Sequence, residues 1–403
     1  MLTVVTLEQA AAEIQAAFSP CPAAETVPLE RACSRVLFTD IVSTEYVPGF
    51  DRSTVDGYAV RASDTFGCSD SLPALLRLAD SVEMGRGAGT ALPPDACVSV
   101  PTGGAIPEGT DAVVMLEYAE DYGDGTIGIC KPAAPGMNLI FRGDDVRPGQ
   151  VVLKGGWKLS PPEIGALAAL GVTEVSVCRI PAVGILSTGD ELVPPGDTPG
   201  EGQVRDVNSA MLRALVESAG AEAVCYGILR DDESLLRETL SRALERCDLV
   251  LISGGSSAGA KDATERVLAE LGTVLFHGIA VKPGKPTMLG KVRGKPAFGL
   301  PGHPVAALFI AQQLVLPLLD QMTGCASRRY SIPAYVTEAV GANHGRAQIT
   351  GVRLYEEGGR HRAVPIRGKS GLITSLAGAD GYFVIPRDQE GVSAGEKIDV
   401  FLL

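Results

Sequence analysis

The sequence predicts a multidomain protein of α/β and β parts: a central three-layer α/β domain with a mostly parallel sheet, an irregular β-rich domain before it, and a small β-barrel-like domain after it. Three observations carry this. From Pro181 to about Gly324, strand-like and helix-like runs alternate, the rhythm of a parallel sheet covered on both faces. From about 28 to 150 the chain offers short strand-like runs, RVLFTDIVS, GYAVRA, CVSVPTGG and DAVVML, broken by Gly, Pro and Asp. After about Ser327 the runs AYVTEA, AVPIR, YFVIP and KIDVFLL are separated by glycine-rich turns, as in a small all-β module. The expected boundaries are 28–139, 179–326 and 327–403, with 1–27 and 140–178 forming a helical linker domain.

The elements follow in order. Thr6, with Gln9 three residues on, caps a first helix that places Ile14, Ala17 and Phe18 at helical spacing. After the irregular region, Ser160 starts a second helix with Pro161 and Pro162 in its first turn, Glu163 at the third position and Gly171 as its stop. Trp157 reads as a packing residue of this linker. Strand 182–187 then leads to a helix from Asn208, with Met211, Leu212, Leu215, Val216 and Ala219 on one face. Strand 223–229 leads to a helix near Asp232 carrying Leu236, Leu240 and Ala243. Strand 248–253 leads to a helix from Asp262, and a long apolar helix starts at His303.

Composition excludes several classes. The chain has 403 residues, 45% hydrophobic and 21% charged, enough for two to four domains with real cores. A net charge of −13 argues against nucleic acid as a partner, because a broad footprint needs a basic face. Nine scattered cysteines form no CxxC pair and read as reduced, mostly buried residues. The start lacks a basic n-region and an unbroken apolar segment, and no stretch reaches the roughly 20 apolar residues of a span. No membrane contact is expected, and the expected address is the cytoplasm. GxGxxG, Walker, HExxH and GxSxG motifs are absent from suitable contexts, which weakens dehydrogenase, NTPase, zincin and hydrolase readings.

What remains points to anions. SGGSSAG at 253–259, KPGKP at 282–286 and GLPGHP at 299–304 are glycine-containing bends offering backbone N–H groups, and Lys282 and Lys285 add charge from a rigid turn. STGDEL, SGGSSAG and GLPGHP each follow a strand, so the three loops should meet at the carboxyl edge of the sheet, where ligands of such folds bind. Carboxylates cluster at Asp56, at Asp144 and Asp145, at Asp190 and Glu191, and at Asp231 and Asp232. One or two carboxylates with substrate phosphate oxygens suit Mg2+. Capping and turn roles compete at each: Asp231 and Asp232 stand where a helix cap is expected, and Asp262 with Glu265 fits a capping box. His303 reads as a cap or surface residue.

Together these segments resemble the molybdopterin molybdotransferase family, the MoeA-like enzymes and the gephyrin E domain. The resemblance runs through VPGFDRSTVDGYAV, PTGGAIPEGTDAVVMLE, FRGDDVRPG, PAVGILSTGDELV, DLVLISGGSSAG, AVKPGKP and GLPGHPVAA, seven motifs in the family's order. It implies an elongated subunit and a homodimer whose site lies between the sheet domain of one subunit and the irregular β domain of the other. The implied reaction is Mg2+-dependent insertion of molybdate or tungstate into adenylylated molybdopterin with release of AMP. The implied partners include the adenylyltransferase that supplies the substrate and acceptor molybdoenzymes.

The resemblance also implies site residues. Asp56, Glu191, Asp231 and Asp262 would be catalytic, the last three holding the metal. Thr102, Asp145, Ser187, Thr188, Gly254, Gly255, Ser256, Gly302 and Pro304 would bind substrate, while Lys282, Lys285, Pro286 and Ser370 would hold the oxyanion. Departures from the family pattern fall at Ala260, at His303 and Ala306 in GHPVA, at Gly278, and at Gly351, where an arginine is expected and Arg353 follows two residues later on the same strand face. Two alternatives stand beside this reading: a molybdopterin adenylyltransferase, since the sheet domain alone resembles that enzyme, and a non-catalytic gephyrin-like scaffold.

Overall fold

The computed structural model describes residues 4–18, 22–89, 91–254, 258–325 and 330–403, without the side chains of 258–262. At its centre is a six-stranded mixed sheet in the order Glu222–Leu229, Ala182–Thr188, Leu249–Gly254, Lys295–Leu300, Met288–Val292, Gly272–His277. The first four strands are parallel. The last two are antiparallel, so the strand–helix rhythm ends at residue 271 and the chain returns as hairpins. Arg293 and Gly294, both at positive φ, connect Val292 to Lys295 in the two-residue geometry that suits the twist of a hairpin.

Alternation along the buried strands feeds two cores. Val183, Ile185, Leu249 and Leu251 face one layer with Leu212, Val216 and Phe309. Leu186, Val250 and Ile252 face the other with Leu236, Leu240 and Leu268. Phe298 and Phe309 are almost completely buried, each worth about 1.5 to 3 kcal/mol of transfer free energy.

The helices largely follow the expected signals. Leu7–Ala17 carries the Thr6/Gln9 capping box and buries Ala10 and Ile14 in the core of the sheet domain. Pro161–Ala169 carries the Ser160/Glu163 box. Asp232 caps Glu233–Arg246, its carboxylate accepting from Leu235 N–H at 2.9 Å. Two expectations shift. The helix expected from Asn208 is Val207–Ser218, with Asp206 as the cap. The helix expected from Asp262 is Ala258–Leu271, so Asp262 lies within it rather than in a capping box. Trp157, read as a linker packing residue, is 40% exposed and meets the linker helix through its indole N–H, which donates to Glu163 at 3.3 Å.

The long apolar helix runs Pro304–Met322, with one π turn at 311–315. At 19 residues it is long and apolar enough to cross a membrane, which amends the expectation that no stretch reaches the length of a span. Ile310, Leu314, Val315, Leu318 and Leu319 bury it in the core of the sheet domain.

The irregular domain has a six-stranded sheet, Ala112–Met115, Gly57–Val60, Ala96–Val100, Ala74–Ser81, Thr126–Ile129, Ala119–Asp121. The C-terminal strands Ala347–Glu357, Arg360–Pro365, Ser331–Val336, Lys397–Leu402 and Gly381–Ile385 close into a five-stranded barrel, the last pairing back to the first. Two features join barrel to sheet domain. Val281 and Lys282 pair with Ala347 and Gln348 in a short parallel ladder. Ile349, Leu376 and Tyr382 belong to the same buried cluster as Phe309 and Ile310.

Candidate active site

The three loops do meet at one sheet edge. Thr188, Gly254 and Leu300 end adjacent parallel strands. Beyond them lies a cavity of about 620 Å³ lined by Ser187, Thr188, Glu191, Asp206, Asn208, Ser253, Gly254, Gly302, His303 and Pro304, with Gly371 and Ile373 from the barrel. Asn208, read from the sequence only as a helix start, ties the loops together: its Nδ2 donates to Ser253 Oγ at 2.7 Å and to the Gly302 carbonyl at 2.9 Å. No sequence signal marked it, because an asparagine near a helix start is ordinary. Gly255 and Ser256 lie outside the described residues.

Carboxylates gather beside this cavity. Asp231 does not cap a helix; its N–H donates to Asp190 Oδ1 at 3.3 Å. Burial, and then the charges of Asp190 and Glu191, push the Asp231 carboxyl above the ordinary aspartate range. Three like charges in one neighbourhood, with no ion pair among the described residues, suit a divalent cation. Among the described residues no three ligands converge into a metal cage. Two carboxylates completed by substrate phosphate oxygens are, however, what Mg2+ takes, and Glu191 and Asp231 fit that role. The Asp262 side chain is outside the described set.

A second cavity, about 980 Å³, adjoins the first and shares Gly302 and His303 with it. The sheet domain contributes Lys282, Gly284, Lys285, Pro286, Ala306 and Phe309; the barrel contributes Arg346, Gln348, Gly351, Arg367, Lys369 and Ser370. His303 caps no helix with its side chain; its Nδ1 lies 2.7 Å from Ser370 Oγ. Val305 N–H donates to the Ser370 carbonyl at 3.2 Å, so one barrel residue is held twice at the start of the long helix.

The departures sort themselves. Gly278 does not line the cavity, and neither does Arg353, which is exposed with Nη2 donating to the Ala377 carbonyl at 3.3 Å. Although Arg353 shares the parity of Gly351, two residues carry it about 6 to 7 Å farther along the strand, past the cavity. Arg346, Arg367 and Lys369 are the cations that sequence reasoning missed. They lie outside the proline-glycine turns that marked Lys282 and Lys285.

The irregular domain holds its own pair. Gly57 and Val100 are partners in the sheet, so Asp56 and Thr102 leave it side by side. Asp56 Oδ1 accepts from Thr102 N–H at 2.6 Å and from Thr102 Oγ1 at 2.9 Å. These bonds, the backbone one first, hold the Asp56 carboxyl below its ordinary range. Asp145 is exposed, its N–H donating to the Val47 carbonyl at 3.1 Å. Asp56, Thr102 and Asp145 do not line either cavity.

Comparison with known proteins covers the same regions. Residues 5–171 match the MoeA N-terminal region (domains I and II), 184–321 a probable molybdopterin binding domain, and 333–403 the MoeA C-terminal region (domain IV). A molybdopterin molybdenumtransferase of Haemophilus influenzae is 35% identical over 98% of this chain and 98% of its own. Molybdopterin molybdenumtransferase 2 of Mycobacterium tuberculosis is 34% identical over 100% of this chain and 99% of its own. The crystal structure of the molybdopterin biosynthesis MoeA protein of Pyrococcus horikoshii superposes with a TM-score of 0.87 at 35% identity, covering 100% of both chains.

Proposed function

Because the chain belongs to the molybdopterin molybdenumtransferase (MoeA) family and serves molybdenum cofactor biosynthesis as a transferase, we propose that it inserts molybdate or tungstate into adenylylated molybdopterin, with Mg2+ and release of AMP. The observation that carries this reading is the pair of cavities meeting at Gly302 and His303, one edged by carboxylates, the other rich in cations. A ligand carrying both a pterin and phosphates suits the first, a small oxyanion the second, and the shared wall brings the reacting groups together.

Ser187, Thr188, Ser253 and Gly254 line the strand ends and would orient the pterin, with Asn208 holding their loops in register. Lys282 and Lys285 are point-charge partners for the oxyanion, and Pro286 and Ser370 complete its wall. Glu191 and Asp231, with Asp262, would hold Mg2+, which when bound neutralises phosphate charge and favours cleavage of the phosphoanhydride by water. Asp56 and Thr102, already hydrogen-bonded to each other, form a unit that with Asp145 we assign to a second subunit's site in a homodimer. Cys33, Cys68, Cys97, Cys130, Cys178, Cys225 and Cys247, which stand outside any disulfide, support action in the reducing cytoplasm.

The test is direct. Purified protein given adenylylated molybdopterin, Mg2+ and molybdate should release AMP and yield metal-loaded cofactor. Absence of AMP release with both molybdate and tungstate refutes the insertase reading. Mixing inactive Asp56→Ala and Asp231→Ala chains should restore part of the activity if the two residues act across a dimer; no recovery after subunit exchange refutes that arrangement.

A further inference from the structure

The cation-rich cavity holds a facing wall of charge that the proline-glycine turns did not announce. Five basic side chains line it, Lys282 and Lys285 from the sheet domain and Arg346, Arg367 and Lys369 from the barrel. They are not equivalent. Arg367 is bound to Glu338, its Nη2 2.9 Å from the carboxylate, so its charge is largely offset. Lys282, Lys285, Arg346 and Lys369 have no carboxylate partner among the described residues, in a chain where 48 acidic residues outnumber 35 basic ones. Where acids are in surplus, four unpaired cations around one cavity make a local positive field that an anion would relieve.

Backbone register decides which barrel residue can face the lysines. Val281 lies opposite Ala347, and Ala347 N–H donates to the Ala280 carbonyl at 2.9 Å. Arg346 therefore leaves the barrel directly beside the turn that carries Lys282 and Lys285. Farther along the same strand, position 351 also lines the cavity but carries no side chain, and a Cβ there would lie 2.5 Å from Leu376 Cδ2, so Leu376 would have to turn aside. The cation therefore comes from Arg346, just before the strand begins, and not from position 351.

We propose that Arg346, assisted by Lys369, is the barrel's oxyanion-binding residue, its planar guanidinium taking two oxygens of a tetrahedral dianion held beside Lys282 and Lys285. The planar fork gives orientation that lysine point charges lack. This assignment rests on the oxyanion-inserting reading above and extends it to residues on the second wall.

The experiment is calorimetric titration of the full chain with molybdate and with tungstate, sulfate serving as competitor, for wild type, Arg346→Ala, Arg346→Lys, Lys369→Ala and Arg353→Ala. Arg346→Ala should weaken oxyanion binding about tenfold to a hundredfold, the loss of a charge-assisted hydrogen-bonding group. Arg346→Lys should recover part of it, Lys369→Ala should lose several-fold, and Arg353→Ala should bind as wild type. In turnover, Arg346→Ala should raise the oxyanion KM and leave kcat at saturation little changed. Wild-type affinity in Arg346→Ala and in the Arg346→Ala/Lys369→Ala double variant overturns the assignment, as does an equal loss in Arg353→Ala. If wild type binds oxyanion through Arg346 yet releases no AMP, this assignment stands and the insertase reading falls.

Discussion

Substituting Gly254 by alanine should damage the sheet edge far more than the same change at Gly227. Gly254 ends the central strand at φ +141°, and a Cβ there would lie 2.1 Å from the Thr188 carbonyl oxygen and 2.4 Å from Thr188 Oγ1. The first obstacle is backbone of the neighbouring strand, which cannot rotate away, so the two strand ends must part. Backbone strain of about 1 to 3 kcal/mol adds to overpacking of about 1 to 3 kcal/mol, a total of roughly 2 to 6 kcal/mol. Gly227 also has positive φ, +83°, but nothing lies within 4 Å of its would-be Cβ. Its alanine variant should cost only the conformational term, about 1 to 2 kcal/mol. At about 2 to 4 °C per kcal/mol, Gly254→Ala should melt roughly 5 to 20 °C below wild type and clearly below Gly227→Ala. Thermal unfolding by circular dichroism reads this directly. Equal melting temperatures for the two variants would refute the close-approach argument.

Asp231→Asn should remove Mg2+-dependent AMP release while leaving metal-free stability at neutral pH unchanged or slightly raised. The sign follows from its raised pKa: the folded state holds the proton more tightly, so stability falls as pH rises from the unfolded value, near 3.8, through the folded one. Wild type should therefore gain stability relative to Asp231→Asn on acidification through that window, measured by denaturant titration, and a gain in the opposite direction would contradict the like-charge cluster. Asp56→Ala should abolish AMP release with far-UV dichroism unchanged, because its carboxylate is exposed and its partners, Thr102 N–H and Oγ1, become open to water. Retained turnover would remove Asp56 from the site.

Local chemistry was the most legible part of the chain. Thr6 with Gln9 and Ser160 with Glu163 are reciprocal caps that need nothing beyond four residues of sequence, and both form. The convergence of the 188, 254 and 302 loops followed from topology, since parallel strands end on one side. Competition among neighbouring residues was not legible. Of Asp231 and Asp232 only the second caps the helix, and which one turns toward Asp190 depends on where the chain leaves Leu229. The glycine-rich run at 253–259 read as loop throughout, yet the helix already begins at Ala258. The antiparallel return of 272–300 went unread inside the alternating stretch, because Arg293–Gly294 is a less familiar hairpin pair than Asn–Gly. Arg346 was invisible for a different reason: only the ladder between distant strands sets it beside Lys282.

That ladder, with the apolar cluster beneath it, also makes the barrel a poor candidate for modular exchange. A chain cut after the long helix would leave Val281 and Lys282 as an unpaired edge and would uncover Phe309 and Ile310, which Ile349, Leu376 and Tyr382 now cover. Such an open edge beside bare aromatic surface invites self-association. Shuffling C-terminal barrels between relatives would meet the same seam, where a transplanted module must match the receiving helix side chain for side chain.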